Sequence, residues 1–211
     1  MNLVLLGPSG AGKGTQAKFL SNYYKVPHIS TGDILRGHIA RKTDIGLKTE
    51  HIMDTGKLVP DEIVIDLVKE RLKEPDCING FILDGFPRNL HQAKVLCDMS
   101  VGIDRVICIR LNDEIIIKRM SGRYTCLNCG AVYHIDYYPP KMPELCDVCN
   151  TKLIQRDDDK ESTVVNRLNI YHKMTEPIIT YFNDIGIITE IDGSNSAEKI
   201  SDNIINLLQT A

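Results

Sequence analysis

Leu3-Val4-Leu5-Leu6-Gly7-Pro8-Ser9-Gly10-Ala11-Gly12-Lys13-Gly14-Thr15 is the stretch that decides the fold. Its four leading aliphatic residues show no polar alternation, the pattern of a strand covered on both faces. A glycine-rich turn follows, and its spacing, Gly7-x4-Gly12-Lys13, is that of a phosphate-binding loop opening a helix. Glycines let backbone N–H groups curl around phosphate oxygens, and the helix N-terminus adds partial positive charge. Lys13 brings a point charge for the β- and γ-phosphates. The residue after it is Gly14, with Thr15 one place later. The plainer alternative, a strand–helix turn without a ligand, fits poorly at the end of a first strand.

Outward from this loop, residues 81–83, 105–111 and 187–191 read as further buried strands. Helical patterns lie between them. Asp61 is expected to cap a helix behind Pro60, with Ile63, Val64, Leu67, Val68 and Leu72 on its apolar face and Pro75 beyond its end. Val164, Leu168, Tyr171, Ile178 and Phe182 mark a long helix bent near Pro177. Ser196 is expected to cap a last helix with Ile200, Ile204, Leu207 and Leu208 inward. A helical stretch over 112–121 stops at Gly122. This alternation predicts an α/β fold of the P-loop nucleotide-binding type, a parallel sheet flanked by helices. Residues 30–59 (short helices, no strand) and 122–159 (polar, rich in Pro and Cys) break the rhythm. They read as insertions on a body made of 1–29, 60–121 and 160–211.

The whole chain of 211 residues, 43% hydrophobic and 25% charged, suits one domain with small insertions. Its 25 basic and 28 acidic residues leave a net charge of −3. With a pI of about 6.1, that speaks against a general nucleic-acid binder. No apolar run reaches the roughly 18 residues of a membrane span. The first residues lack a basic leader pattern, so the expected address is the cytoplasm.

Seven cysteines include two Cys-x-x-Cys pairs, Cys126/Cys129 and Cys146/Cys149, 16 residues apart. That spacing is a zinc pattern, and Gly130 and Asn150 tolerate the left-handed turn that lets each pair converge. Four thiolates close a tetrahedron and leave no place for a catalytic water, so the metal is structural, with cobalt or iron as alternatives to zinc. Two local disulfides or free thiols are the competing readings. Cys77, Cys97 and Cys108 read as core or near-core thiols. The six histidines show no ligand spacing, although His134 lies close enough in sequence to approach the metal. The Asp157–Asp159 run reads as a solvated face or as partners for nearby arginines.

Gly80-Phe81-Ile82-Leu83-Asp84 is an apolar strand ending in a carboxylate, the form of an acid held near Mg²⁺ directly or through water. A helix-capping Asp is the alternative. A guanine-reading Asn-Lys-x-Asp motif is absent.

Together these motifs resemble the adenylate kinase family. The resemblance is carried by Gly12-Lys13-Gly14-Thr15, Ser30-Thr31-Gly32-Asp33-Ile34-Leu35-Arg36, Asp84-Gly85-Phe86-Pro87-Arg88 with Gln92, and Arg156 through Asp159 to Arg167. It runs in one register from residue 3 to about 195. Ser9 departs from the proline of many relatives. The resemblance implies the reaction MgATP + AMP ⇌ 2 ADP, with a monophosphate-binding insertion over 30–59 and a lid over 122–159. It also implies roles. Gly10 to Thr15, Arg119, Arg123, Tyr133 and Asn195 would bind ATP, with Arg119 against the donor adenine. Arg36 and Arg88 would grip the AMP phosphate, Thr31 and Gln92 would meet its base, and Met53, Lys57, Val59 and Gly85 would wall its pocket. Lys13, Arg88, Arg123, Arg156 and Arg167 would be the catalytic cations, Arg156 and Arg167 touching both nucleotides, and Asp84 would hold Mg²⁺ through water. Such enzymes are expected to act as monomers on ATP, AMP and ADP, without nucleic acid or membrane. The rival readings are a kinase for UMP, CMP or another monophosphate, and a zinc-ribbon nucleic-acid module on an NTPase body.

Overall fold

A computed structural model describes residues 1–209. In chain order the strands are β1 (Asn2–Leu6), β2 (His28–Ser30), β3 (Phe81–Asp84), β4 (Arg105–Arg110), β5 (Arg123–Cys126), β6 (Val132–His134), β7 (Leu153–Ile154) and β8 (Ile188–Asp192). The helices are α1 (Lys13–Tyr24), α2 (Thr31–Ala40), α3 (Asp44–Asp54), α4 (Asp61–Leu72), α5 (Leu90–Asp98), α6 (Asp113–Ser121), α7 (Glu161–Ile170), α8 (Pro177–Ile185) and α9 (Ala197–Gln209). The main sheet is parallel throughout, in the order β2-β3-β1-β4-β8, and β6-β5-β7 form a small antiparallel sheet of their own.

The unbroken apolar runs have a simple cause, because both faces of the sheet are covered. Val4, Leu6, Phe81, Leu83, Val106 and Cys108 enter one core with residues of α4, α5 and α8. Leu3, Leu5, Ile82, Ile107 and Ile109 enter the other with residues of α1 and α9. A Leu, Ile or Phe buried in this way contributes roughly 1.5–3 kcal/mol relative to its exposed state. Among the described residues, no helix is long and apolar enough to cross a membrane.

Several local expectations change. Strand β2 is an addition to the sheet. Only Ile29 of its three residues is buried, so no apolar run marked it. Asp61 is the first residue of α4 and not its cap, and its carboxylate turns to α5 instead, accepting from Asn89 Nδ2 at 2.7 Å and Gln92 Nε2 at 2.8 Å. The helix around Pro177 breaks one turn earlier, in a π segment Tyr171–Thr175 where Glu176 N–H donates to Tyr171 O at 2.9 Å. The widened turn re-pairs the backbone ahead of a residue that has no N–H to give. Ser196 Oγ accepts from Lys199 N at 3.3 Å at the start of α9, while Leu207 on that helix is 40% exposed. Cys77 and Cys108 are buried but Cys97 is exposed. Gly122 caps α6 with φ −94°, so its need for glycine is space and not handedness, since a Cβ there would lie 2.5 Å from the His134 ring.

Candidate active site

Parallel strands deliver their carboxyl ends to one edge of the sheet. Strand β1 runs out into the glycine-rich loop, and Asp84 ends β3 in register with Leu5 of β1. Loop and acid therefore meet beside the strand at which the chain order reverses, where open α/β sheets form a crevice. Gly12, with φ 101°, is the N-cap of α1 and offers no side-chain cap, so the first-turn N–H groups are left for a ligand. Lys13 arches back over the loop and donates from Nζ to Gly7 O at 2.8 Å and Pro8 O at 2.9 Å.

The crevice opens into a cleft of about 1700 Å³, larger than the roughly 300–1000 Å³ of a single-ligand pocket. Gly10, Ala11, Gly12, Lys13, Gly14, Thr15, Thr31, Arg36, Met53, Lys57, Val59, Asp84, Gly85, Arg88, Gln92, Arg119, Arg123, Tyr133, Arg156, Arg167 and Asn195 all border it. They come from both insertions and from every part of the body that meets the sheet edge.

Ten lysines and arginines border the cleft among the described residues, and the six arginines are each held differently. Arg88 donates from Nε to Gly85 O at 2.8 Å, and Arg119 from Nη1 to Gly193 O at 3.2 Å. Arg36 is bonded to Asp33 at 2.7 Å and stands 3.9 Å from Asp158. Arg123 forks onto both oxygens of the fully buried Asp159. Arg167 donates to Asp158 Oδ2 from one nitrogen and to Ser9 Oγ from the other, both at 2.6 Å. Arg156 keeps a buried Nε without a partner among the described residues. The Asp157–Asp159 run is thus divided, Asp157 standing outside on Lys160 while Asp158 and Asp159 serve as internal counter-ions.

Crowding of like charge shows in the titration of these groups. Burial, opposed by the charge of Asp84 and assisted by the charges of Arg88, Arg167 and Arg123, brings Lys13 down to about 8. Burial followed by neighbouring arginines brings Arg88 and Arg156 each to about 10. Burial works against ionised Asp84 too, but the hydrogen bond from His28 and the charge of Lys13 outweigh it and hold the carboxyl below its ordinary range. An ionised carboxylate beside the loop fits a magnesium-bound phosphate chain. The cleft is therefore a buried site with an excess of cations, and a polyanion relieves it.

Some side chains are committed within the protein. Thr31 Oγ1 donates to Gly85 O at 3.0 Å. Tyr133 OH accepts from Asp147 N at 2.8 Å and lies 3.5 Å from Cys146 Sγ, so its hydroxyl is engaged beside the cysteine cluster and only the rest of the side chain is available to the cleft. Asn195 Nδ2 reaches Asp192 Oδ2 at 3.5 Å. Ser9, His28 and Asp61 were not singled out by the motifs as site residues. Ser9 sits inside the loop without a motif position of its own, and His28 lies on a strand that leaves no apolar pattern.

Beside the cleft, all seven cysteines are free of disulfides, and Cys126, Cys129, Cys146 and Cys149 place their sulfurs within 4.8 Å of one another. Four thiolates around one ion at about 2.3 Å fit that spread. Gly130 and Asn150 are left-handed, with φ 69° and 55°, and their N–H groups donate back to Cys126 O and Cys146 O. His134 is not part of the cluster: its Nδ1 accepts from the amides of Asp136 and Tyr137 at 3.0 and 3.2 Å. The residues are spaced to hold a metal ion with a complete set of protein ligands.

Comparison with known proteins agrees with this geometry. Residues 5–187 match the family model described as adenylate kinase. An adenylate kinase of Clostridium botulinum (strain Loch Maree / Type A3) is 50% identical over 99% of this chain and 98% of its own length. One from Acetivibrio thermocellus is 51% identical over the same shares, and one from Clostridium kluyveri is 50% identical over 95% of this chain and 94% of its own. A loop of phosphate-binding spacing, a large cleft bordered by arginines and half-identical relatives along almost the entire length have one common account: the chain belongs to the adenylate kinase family.

Proposed function

We propose how this cleft performs the family reaction, the reversible transfer of the terminal phosphoryl group of MgATP to AMP, giving two ADP. The chain is an enzyme, an ATP:AMP phosphotransferase. Convergence of Lys13, Arg88, Arg123, Arg156 and Arg167 on one cleft of two-nucleotide size carries the reading. ATP and AMP together bring roughly six negative charges, which must approach one another for in-line transfer. The AMP phosphate is already an anionic nucleophile, so no general base is required. Catalysis comes from positioning and from fixed positive charge in a site that excludes water.

In this reading Lys13, Arg123, Arg156 and Arg167 hold the donor and the moving phosphoryl group, while Arg36 and Arg88 fix the acceptor phosphate. The amides of residues 10–15 wrap the donor phosphates. Arg119, Tyr133 and Asn195 bound the donor nucleoside. Thr31, Met53, Lys57, Val59, Gly85 and Gln92 bound the acceptor. Asp84 would hold the magnesium that accompanies ATP, which would supply positive charge to the phosphate chain. On binding, Arg123 and Arg167 exchange part of their contact with Asp159 and Asp158 for phosphate oxygens. Residues 30–59 and 122–159 close over the two nucleotides as separate pieces, the second stiffened by a structural zinc ion on Cys126, Cys129, Cys146 and Cys149. We place the enzyme in the cytoplasm, as a monomer.

The direct test supplies MgATP with AMP, UMP, CMP or GMP and measures diphosphate formation. Turnover with AMP far above the other three is expected. Turnover confined to UMP or CMP would overturn the acceptor assignment.

A further inference from the structure

Gln92 is 1% exposed yet borders the cleft. Its amide has two N–H donors and two carbonyl lone pairs. Two of these four positions are taken by groups that cannot exchange roles. Asp61 Oδ1, a carboxylate oxygen that already accepts from Asn89 Nδ2, takes one Nε2 N–H at 2.8 Å. The backbone N–H of Arg88, only a donor, gives its hydrogen to Oε1 at 2.7 Å. An amide turned over by 180° would set oxygen against the carboxylate and N–H against N–H, leaving buried polar groups unpaired. The carboxylate is itself held. Its Oδ1 also accepts from Asn89 Nδ2 at 2.7 Å, and Asn89 Oδ1 accepts from Gln92 N at 2.9 Å. Asp61, Asn89 and Gln92 thus close a ring at the start of α5. One N–H and one lone pair of Gln92 remain, in a fixed order.

We propose that Asp61 is the positioning residue that sets base specificity at the acceptor site, by locking the Gln92 amide in the sense that reads adenine. The proposal rests on Gln92 as the contact for the acceptor base. Adenine presents a ring-nitrogen acceptor at N1 beside an amino donor at N6, which match one N–H and one lone pair. Hypoxanthine and guanine present the reverse, a donor at N1 and an acceptor at O6. A glutamine free to turn over serves either edge. A pinned one serves adenine and leaves the 6-oxopurine with two mismatched contacts, the situation in which a hydrogen-bonding site discriminates most strongly.

The experiment measures kcat and KM for AMP and IMP, with saturating MgATP, in the wild type and in Asp61→Ala, Asp61→Asn and Gln92→Ala. The wild type is expected to prefer AMP in kcat/KM by at least roughly a hundredfold, and Asp61→Ala to lower that preference by about tenfold or more, the change falling on KM more than on kcat. Asp61→Asn is expected to restore it, because Asn89 still donates to that position and keeps an oxygen there. Should Asp61→Ala not fold, Asp61→Ser replaces it: a hydroxyl both donates and accepts, so the Arg88 N–H alone still sets the sense of the amide and the preference falls. A full preference in a folded Asp61→Ala or Asp61→Ser enzyme, whatever its melting temperature, would overturn the proposal and leave Asp61 a purely structural role. A full preference in Gln92→Ala would instead overturn the base-contact reading beneath it, and a lost preference in Gln92→Ala beside a kept one in Asp61→Ala would reject Asp61 alone.

Discussion

The phosphate cleft and the four-cysteine cluster each gather groups of one kind, cations in the first and sulfurs in the second, and each is suited to a partner of opposite character, a polyanion or a metal cation. They differ in how the crowd is assembled. The cations arrive from α1, α2, the turn after β3, β5 and α7, and they lean on Asp33, Asp158, Asp159 and backbone carbonyls that can be given up when a polyanion enters. The cysteines arrive on two short turns, with sulfurs within 4.8 Å of each other and no other ligand position. The surroundings differ too. Two large cores pack the sheet under the cleft, while the lid core has only Cys126, Tyr133, Cys146 and Leu153 fully buried. Where the body supplies stability, the site can afford unpaired charge for function. Where packing is thin, a metal ion held by the four sulfurs would supply the stability that the small core lacks.

If that contrast is right, the two sites fail in opposite ways. Lys13→Met should lower turnover by roughly a hundredfold to a thousandfold, as loss of a transition-state charge contact does. Its melting temperature should stay within about 2 °C of the wild type. Parallel loss of both in a coupled ADP assay and a thermal scan would make the loop a structural element. Cys146→Ser, or metal removal by a chelator, should instead cost stability, with a fall of roughly 10 °C in the lid's unfolding transition while the body remains folded by circular dichroism. Unchanged melting would break the comparison from the lid side.

The smallest effect is the proton traffic of Lys13. With its pKa brought down to about 8 in the ligand-free cleft, the amine is largely neutral at pH 8.5–9 and charged near pH 7. Phosphate raises that value again, so MgATP binding at the higher pH should take up as much as one proton, and at pH 7 almost none. Affinity should accordingly weaken by up to about tenfold per pH unit above 8. Calorimetry in buffers of different ionisation enthalpy reads the uptake directly, and Lys13→Met should abolish it. Equal uptake in that variant would assign the proton to another group.

Much of the site was legible because its chemistry is written at short range. The loop at Gly7–Lys13, the strand ending in Asp84 and the paired cysteines are spacings of a few residues, and backbone geometry converts such spacings directly into shape. Three other features depend on partners far away in the chain. The Asp157–Asp159 run looks the same in sequence at each position, yet Asp159 is buried on Arg123 and Asp157 is outside on Lys160. Ser9 is one small polar residue in a glycine-rich loop, and it receives a hydrogen bond from Arg167, 158 residues later. Asp61 looked like a helix cap and holds two amides of another helix.

The amino-acid sequence by itself determined four of the five strands of the main sheet, the loop with phosphate-binding spacing and the four thiols that converge, since periodicity, glycine freedom and ligand spacing act locally. Only the tertiary structure decided which carboxylate answers which arginine, and in which sense the Gln92 amide is held. Hydrogen bonds and ion pairs are directional and short-ranged, and packing of the two cores brings their distant ends within reach.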